Sequence, residues 1–213
     1  MFTNTDILEM IRLLEECYPD PDCALHYKKD YELLFAARLA AQCTDARVNT
    51  VTPTLFSRYP TLEALASADI ADMEKIVHPC GFYRVKARDI IAASAMLLGV
   101  FDGKVPATME ELLRLPGVGR KTANLILGDV HKLPAVVVDT HCIRLSNRIG
   151  LVDTKDPVKI ETELRAILPP DKSSDFCHRL VLHGRAVCPA RNPACSRCCL
   201  AKFCNYAKLG SKT

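Results

Sequence analysis

Four cysteines near the end of the chain, Cys188, Cys195, Cys198 and Cys204, stand as C-x6-C-x2-C-x5-C within "CPARNPACSRCCLAKFC". Four thiolates so spaced can wrap one compact inorganic core, either a tetrahedral zinc ion or a [4Fe-4S] cluster. Zinc sites more often pair two well-separated C-x2-C knuckles, and only Cys195 and Cys198 form one here. The uneven loops therefore suit the cluster better, with zinc as the rival. The closely repeated C-x2-C pairs of a ferredoxin are absent, and Arg185, Arg191, Arg197 and Lys202 around the cysteines argue against simple electron transfer. Cys199 follows Cys198 directly and is expected to point away as a bystander. Cys17, Cys23, Cys43, Cys80, Cys142 and Cys177 are expected to be buried small apolar groups. Eleven cysteines, an odd count, and no export signal at "MFTNTDILEM" place the chain in a reducing compartment rather than in a disulfide framework.

A second group of residues lies in "LRLPGVGRKTANLILGDV". A helix is expected to end near Leu115, where Pro116 breaks it. Gly117 and Gly119 let the backbone turn sharply before another helix begins near Arg120. Such a hairpin aims amide N–H groups and the positive end of a helix dipole outward, toward a phosphate. A plain αα-hairpin would account for L-P-G-V-G alone. It leaves unexplained Arg120 and Lys121 in the first helical turn, where cations are electrostatically unfavourable and a DNA phosphate would offset the cost. The dipole field and partial removal from water both favour the neutral amine of Lys121, a form that attacks carbon and makes a Schiff base. Downstream, "VVVDTHCIRLSNR" sets Asp139 between an apolar run and a helix, where aspartate is a favoured N-cap.

The elements that position these residues read as helices almost throughout. "DILEMIRLLEEC" puts Ile7, Ile11 and Leu14 on one face, and "YELLFAARLAAQC" and "VKARDIIAASAMLLGVF" are rich enough in apolar residues to be deeply buried. Thr108 with Glu111 three residues on predicts a capping box, and Pro19, Pro21, Pro60, Pro106 and Pro169-Pro170 punctuate the boundaries. "AVVVD" is too short and isolated to build a sheet. An all-α architecture of about ten helices follows. The 213 residues, 49% hydrophobic and 25% charged, suffice for one good core or two small ones. No apolar stretch approaches the ~20 residues of a membrane-spanning helix. The net charge is only +3, but the stretch from Asp171 onward carries eight Lys or Arg, Lys212 included, against two Asp. That basic end is either a phosphate-binding surface or a solvated tail.

Taken together, "LAAQCTD", "GFYRVKA", "LPGVGRKTAN", "VDTH", "LHGR" and the four-cysteine loop resemble the endonuclease III family of base-excision DNA glycosylases, over almost the whole chain. The resemblance implies a helix-hairpin-helix glycosylase fold, all-α. A six-helix barrel over 22–133 would hold the hairpin at about 108–131. A discontinuous cluster domain, 1–21 with 134–213, would carry a [4Fe-4S] cluster on loop 188–204, with a cleft between the two. It implies Lys121 and Asp139 as catalytic residues and Cys188, Cys195, Cys198 and Cys204 as metal ligands. DNA contacts fall on Gln42 and Phe82, which would fill the gap left by an extruded nucleotide, and on Gly117, Gly119, Arg120, His141, Arg185 and Arg191. Phe82 departs from the leucine common at that place in the family. His178 and His183 read as structural, since no histidine has a metal-binding spacing with the cysteines.

The activity implied is a bifunctional glycosylase and AP lyase, removing oxidised pyrimidines from double-stranded DNA and cutting 3′ to abasic sites. The enzyme is expected to be monomeric, free of the membrane, and cytoplasmic in a prokaryote. Two rivals stand beside it. A monofunctional mismatch glycosylase of the same fold lacks a lysine at position 121, and a non-enzymatic iron-sulfur DNA-binding module leaves the combination of Lys121 and Asp139 unexplained.

Overall fold

The computed structural model describes residues 2–210, which form twelve α-helices and three short 3-10 turns, with no strand among the described residues. Lys212 of the basic end lies outside the described residues. The chain divides into two compact units, Cys23–His131 and a discontinuous one of Met1–Asp22 with Lys132–Thr213. None of the described helices is long and apolar enough to cross a membrane.

The chain opens with α1 (Asn4–Cys17), whose start is held reciprocally. The Thr3 N–H donates to Asp6 Oδ2 at 2.8 Å and the Asp6 N–H to Thr3 Oγ1 at 3.2 Å. Its buried residues, Ile7, Met10, Ile11 and Leu14, recur at helical spacing and form the stripe read from the sequence.

In the unit Cys23–His131, α2 (Asp30–Leu39) buries Leu33, Leu34, Phe35, Ala36 and Leu39. It is followed by α3 (Asp45–Arg58), α4 (Leu62–Ala66), α5 (Ile70–Val77) and the long α6 (Tyr83–Val100). Helices α4 and α5 pack along α6, α5 also meets α3, and α2 lies against α3 and α6. The unit ends with α7 (Met109–Arg114) and α8 (Arg120–Asp129), packed on each other, with α8 also on α2. Thr108 caps α7 by accepting from the Glu111 N–H at 3.3 Å. Its partner bond differs from the expected box, because the Thr108 hydroxyl itself donates to Glu111 Oε2 at 2.8 Å.

In the discontinuous unit the run Ala135–Val138 is buried but forms no strand. It lacks a neighbouring strand, and the Ala135 N–H donates instead to the Ser173 hydroxyl at 3.2 Å. There follow α9 (Thr140–Ile149), α10 (Pro157–Ile167), α11 (Ser173–Ala186) and α12 (Asn205–Gly210). Helix α11 packs against both α1 and α9, which explains why the first helix joins the C-terminal part of the chain.

Candidate functional site

The hairpin between α7 and α8 turns at Gly117, whose φ of +74° is open to glycine and strained for other residues. A β-carbon there would also lie 2.5 Å from Arg38 Nε and from Asp89 Oδ2. Those two side chains form a half-buried ion pair at 2.6 Å, so the turn rests on a salt bridge between α2 and α6. Gly119 corrects the expectation that both glycines are needed for the turn. Its backbone is extended (φ −100°, ψ 174°) and an added β-carbon meets nothing within 4 Å. Gly119 is instead the N-cap of α8, and with no side chain it leaves the start of that helix to face outward as bare backbone. Arg120 and Lys121 occupy the first turn of α8 and both are exposed. Removal of Lys121 from water, one half of the argument for its neutral form, is therefore not supplied by the unit that carries it.

Two other exposed residues of the same unit have unusual backbone. Gln42 (φ +55°) and Phe82 (φ +48°) both adopt the left-handed conformation, which costs a residue with a side chain about 1–2 kcal/mol. Phe82 is 65% exposed, a large apolar ring held in solvent. Beneath them lies Lys86, only 1% exposed, whose ammonium donates to the Leu39 carbonyl at 2.8 Å and the Cys80 carbonyl at 2.7 Å. Burial pulls this lysine below its ordinary range, against the influence of the Cys80 and Cys43 thiols. Lys86 lies inside "GFYRVKA", where the family resemblance implies no role for it. A lysine among apolar positions of a buried helix was the available signal.

In the discontinuous unit Asp139 is the N-cap of α9, its Oδ1 accepting from the Cys142 N–H at 2.7 Å. The capping role anticipated from local sequence is thus real and occupies one carboxylate oxygen. Farther along α9, Arg144 donates to the Cys188 carbonyl at 3.1 Å and to the Gly184 carbonyl at 3.2 Å. Arg144 Nη2 lies 3.0 Å from His141 Nδ1, and because guanidinium only donates, that ring nitrogen accepts. A β-carbon on Gly184 would meet His141 Nδ1 at 2.5 Å, so the "LHGR" glycine is required for close packing. Arg185 and Arg191 are exposed, as is Arg197. Elsewhere in the basic end Lys172 pairs with Glu15 at 2.9 Å, Lys202 with Glu9 at 3.1 Å, and Arg179 is buried.

The cysteine loop is pinned by α9. Arg148 Nη1 donates to Cys188 Sγ at 3.1 Å and to the Pro189 carbonyl at 2.8 Å, Nη2 reaches the Ala190 carbonyl at 2.8 Å, and the Cys204 thiol meets the Arg148 carbonyl at 3.2 Å. Burial pushes the Cys198 thiol up to about 11, and Cys204, Cys188 and Cys195 each push the same way, so the four sulfurs share one neighbourhood. Among the described residues no three His, Cys, Asp or Glu groups converge as a single bound ion would require. Four clustered cysteines with nitrogen groups beside two of the sulfurs fit a thiolate-held iron-sulfur cluster, whose properties depend on such contacts.

His183, expected to be structural, is buried, and its Nε2 lies 3.2 Å from Cys198 Sγ and its Nδ1 3.0 Å from the Tyr18 hydroxyl. A thiolate at Cys198 would accept a hydrogen bond from Nε2–H, which leaves Nδ1 to accept from the tyrosine hydroxyl. The expectation for the remaining cysteines needs correction. Cys17 is exposed and Cys23 and Cys43 are half-buried, so only Cys80, Cys142 and Cys177 are the buried apolar groups expected. Burial pushes the Cys199 thiol up to about 12, and the thiol of Cys17, the last residue of α1, pushes the same way.

Residues 35–170 match the model of the HhH-GPD superfamily of base excision DNA repair proteins, which defines the class. Endonuclease III of Synechocystis sp. is 47% identical over 201 residues, 94% of this chain and 92% of that protein. A solved non-covalent endonuclease III–DNA complex superposes with a TM-score of 0.92 at 37% identity, covering 100% of both chains. A trapped endonuclease III–DNA covalent intermediate, an estranged-adenine complex, does so with 0.92 at 38% identity, covering 99% of this chain and 100% of that one. The chain belongs to the endonuclease III family. It is accordingly a DNA glycosylase of base excision repair.

Proposed function

We propose that this glycosylase is bifunctional, excising oxidised pyrimidines from duplex DNA and then cutting the strand 3′ to the abasic site as a lyase. The observation that carries the reading is Lys121, an exposed primary amine in the first turn of α8, two residues after an N-cap that offers only backbone. The positive end of α8 and the amides around Gly119 hold a phosphate of the damaged strand. Gln42 and Phe82 fill the space vacated when the target nucleotide leaves the stack. Lys121 Nζ, once deprotonated, attacks C1′ of the sugar as the bond to the damaged base breaks, and the base departs with the bonding electrons and takes up a proton. Asp139 offsets the positive charge that develops on the sugar. The ring-opened sugar is then joined to Lys121 as a protonated imine, which acidifies C2′. Loss of a C2′ proton expels the 3′ oxygen by β-elimination, and water releases the lysine.

Cys188, Cys195, Cys198 and Cys204 would hold a [4Fe-4S] cluster, which would supply a rigid support for the basic loop rather than a reacting centre. Arg185, in the last turn of α11, and Arg191, on that loop, flank the duplex.

The test is borohydride trapping on a duplex with one abasic site. Wild-type protein is expected to become covalently linked to the DNA, and Lys121→Gln to bind it without being trapped. Trapping that survives in Lys121→Gln removes the lyase reading and leaves a monofunctional or purely binding protein.

A further inference from the structure

The Lys86 ammonium is bonded to two carbonyls at the ends of two different helical segments of one unit, each leading into a loop. Leu39 closes α2, and its carbonyl is among those a helix leaves without an internal partner. Cys80 closes the 3-10 turn His78–Cys80. Both are helix ends where a cation is electrostatically welcome. Gln42 follows Leu39 by three residues and Phe82 follows Cys80 by two. At no more than ~3.6 Å per residue, neither tip strays farther than ~11 Å from the carbonyl that anchors its loop. Both tips are in left-handed backbone, a conformation that persists only where the surroundings impose it. An ammonium sealed from water has no other strong acceptor to turn to, so the two bonds are hard to give up.

We propose that Lys86 is a positioning residue that locks the Gln42 and Phe82 loops in one register, so that both tips enter the duplex together when a nucleotide is extruded. The proposal rests on the gap-filling reading of those two residues. It assigns Lys86 no contact with DNA and no part in the chemistry at C1′.

Lys86→Met keeps the length and removes the ammonium. Lys86→Gln keeps one donor, and serves if the methionine variant does not fold. Two measurements are made on each: amide hydrogen exchange over residues 40–43 and 80–83, and the rate of borohydride trapping on abasic DNA as a duplex and as a single strand. A single strand has no stacked gap to fill. Faster exchange in both loops is expected, with a duplex rate lower by on the order of 10²-fold, the scale of a loss from misplacement by about 1 Å. The single-strand rate is expected to change less than about threefold.

Equal losses on the two substrates, or unchanged exchange in both loops, overturn the proposal, since a merely structural lysine would not separate duplex from single strand. Gln42→Ala and Phe82→Ala are run alongside. If those two fail on duplex while Lys86→Met retains full rate, the proposal falls alone. If all three retain full rate, the gap-filling reading falls and takes the proposal with it.

Discussion

Asp139 has two oxygens and, on the reading proposed, two tasks. Oδ1 caps α9 by accepting the Cys142 amide, and the negative charge of the group serves the sugar. Asparagine is as good an N-cap as aspartate, so Asp139→Asn is expected to unfold within a few tenths of a kcal/mol of wild type, whereas Asp139→Ala loses about 1 kcal/mol. Excision of an intact damaged base should fall in both by on the order of 10²-fold, the scale of losing one electrostatic contact to a transition state. Urea melts paired with single-turnover excision separate the two tasks, and full activity in Asp139→Asn reduces the residue to a cap. At this scale the sequence was most legible where chemistry is concentrated in a residue type: four cysteines, or a lysine after a glycine hairpin. It was least legible where a side chain acts through a distant carbonyl. Lys86 lies 47 positions from Leu39, and Arg148 lies 40 from the Cys188 sulfur. No local spacing announces bonds of that range.

The hairpin makes a test at the scale of an element, because its two glycines differ. Gly117→Ala forces a side chain into left-handed backbone and into the Arg38–Asp89 pair. It is expected to lower stability by at least ~1 kcal/mol with a visible drop in thermal midpoint. Gly119→Val meets open space in an extended backbone and should melt like wild type. Its bulk stands where a phosphate approaches, so affinity for every duplex, damaged or not, should weaken and the salt dependence of binding should flatten. Unchanged affinity and salt slope in Gly119→Val would dismiss the phosphate role. Helix α9 has a similar economy. One helix places Asp139 at its start and then His141, Arg144 and Arg148, the two arginines four residues apart and both bonded to the opening of the cysteine loop. The run "DTHCIRLSNR" showed the helix, but the carbonyl partners of its arginines lie at Gly184 and at Cys188 to Ala190, out of reach of any helical periodicity.

For the whole molecule the cluster is the measurable quantity. Purified protein is expected to be yellow-brown with about four iron atoms per chain, the stoichiometry of a [4Fe-4S] cluster, and one zinc in a colourless protein would refute that. Cys195→Ser should lose the iron and loosen amide exchange in the unit Met1–Asp22 with Lys132–Thr213, leaving Cys23–His131 unaffected. Cys199→Ser should keep the colour, since its thiol is affected by that of Cys17 rather than counted among the four ligands. The sequence by itself determined the all-helical class and the hairpin, because period, proline, glycine and capping chemistry act over a few residues, although about ten helices were expected and twelve form among the described residues. It also placed the four cysteines on one loop, since the chain between them is short. The tertiary structure alone decided which glycine the turn requires, because that depends on a salt bridge between α2 and α6. It decided that His183 meets Cys198 and that one buried ammonium ties two loops, because those bonds join segments that only packing brings together.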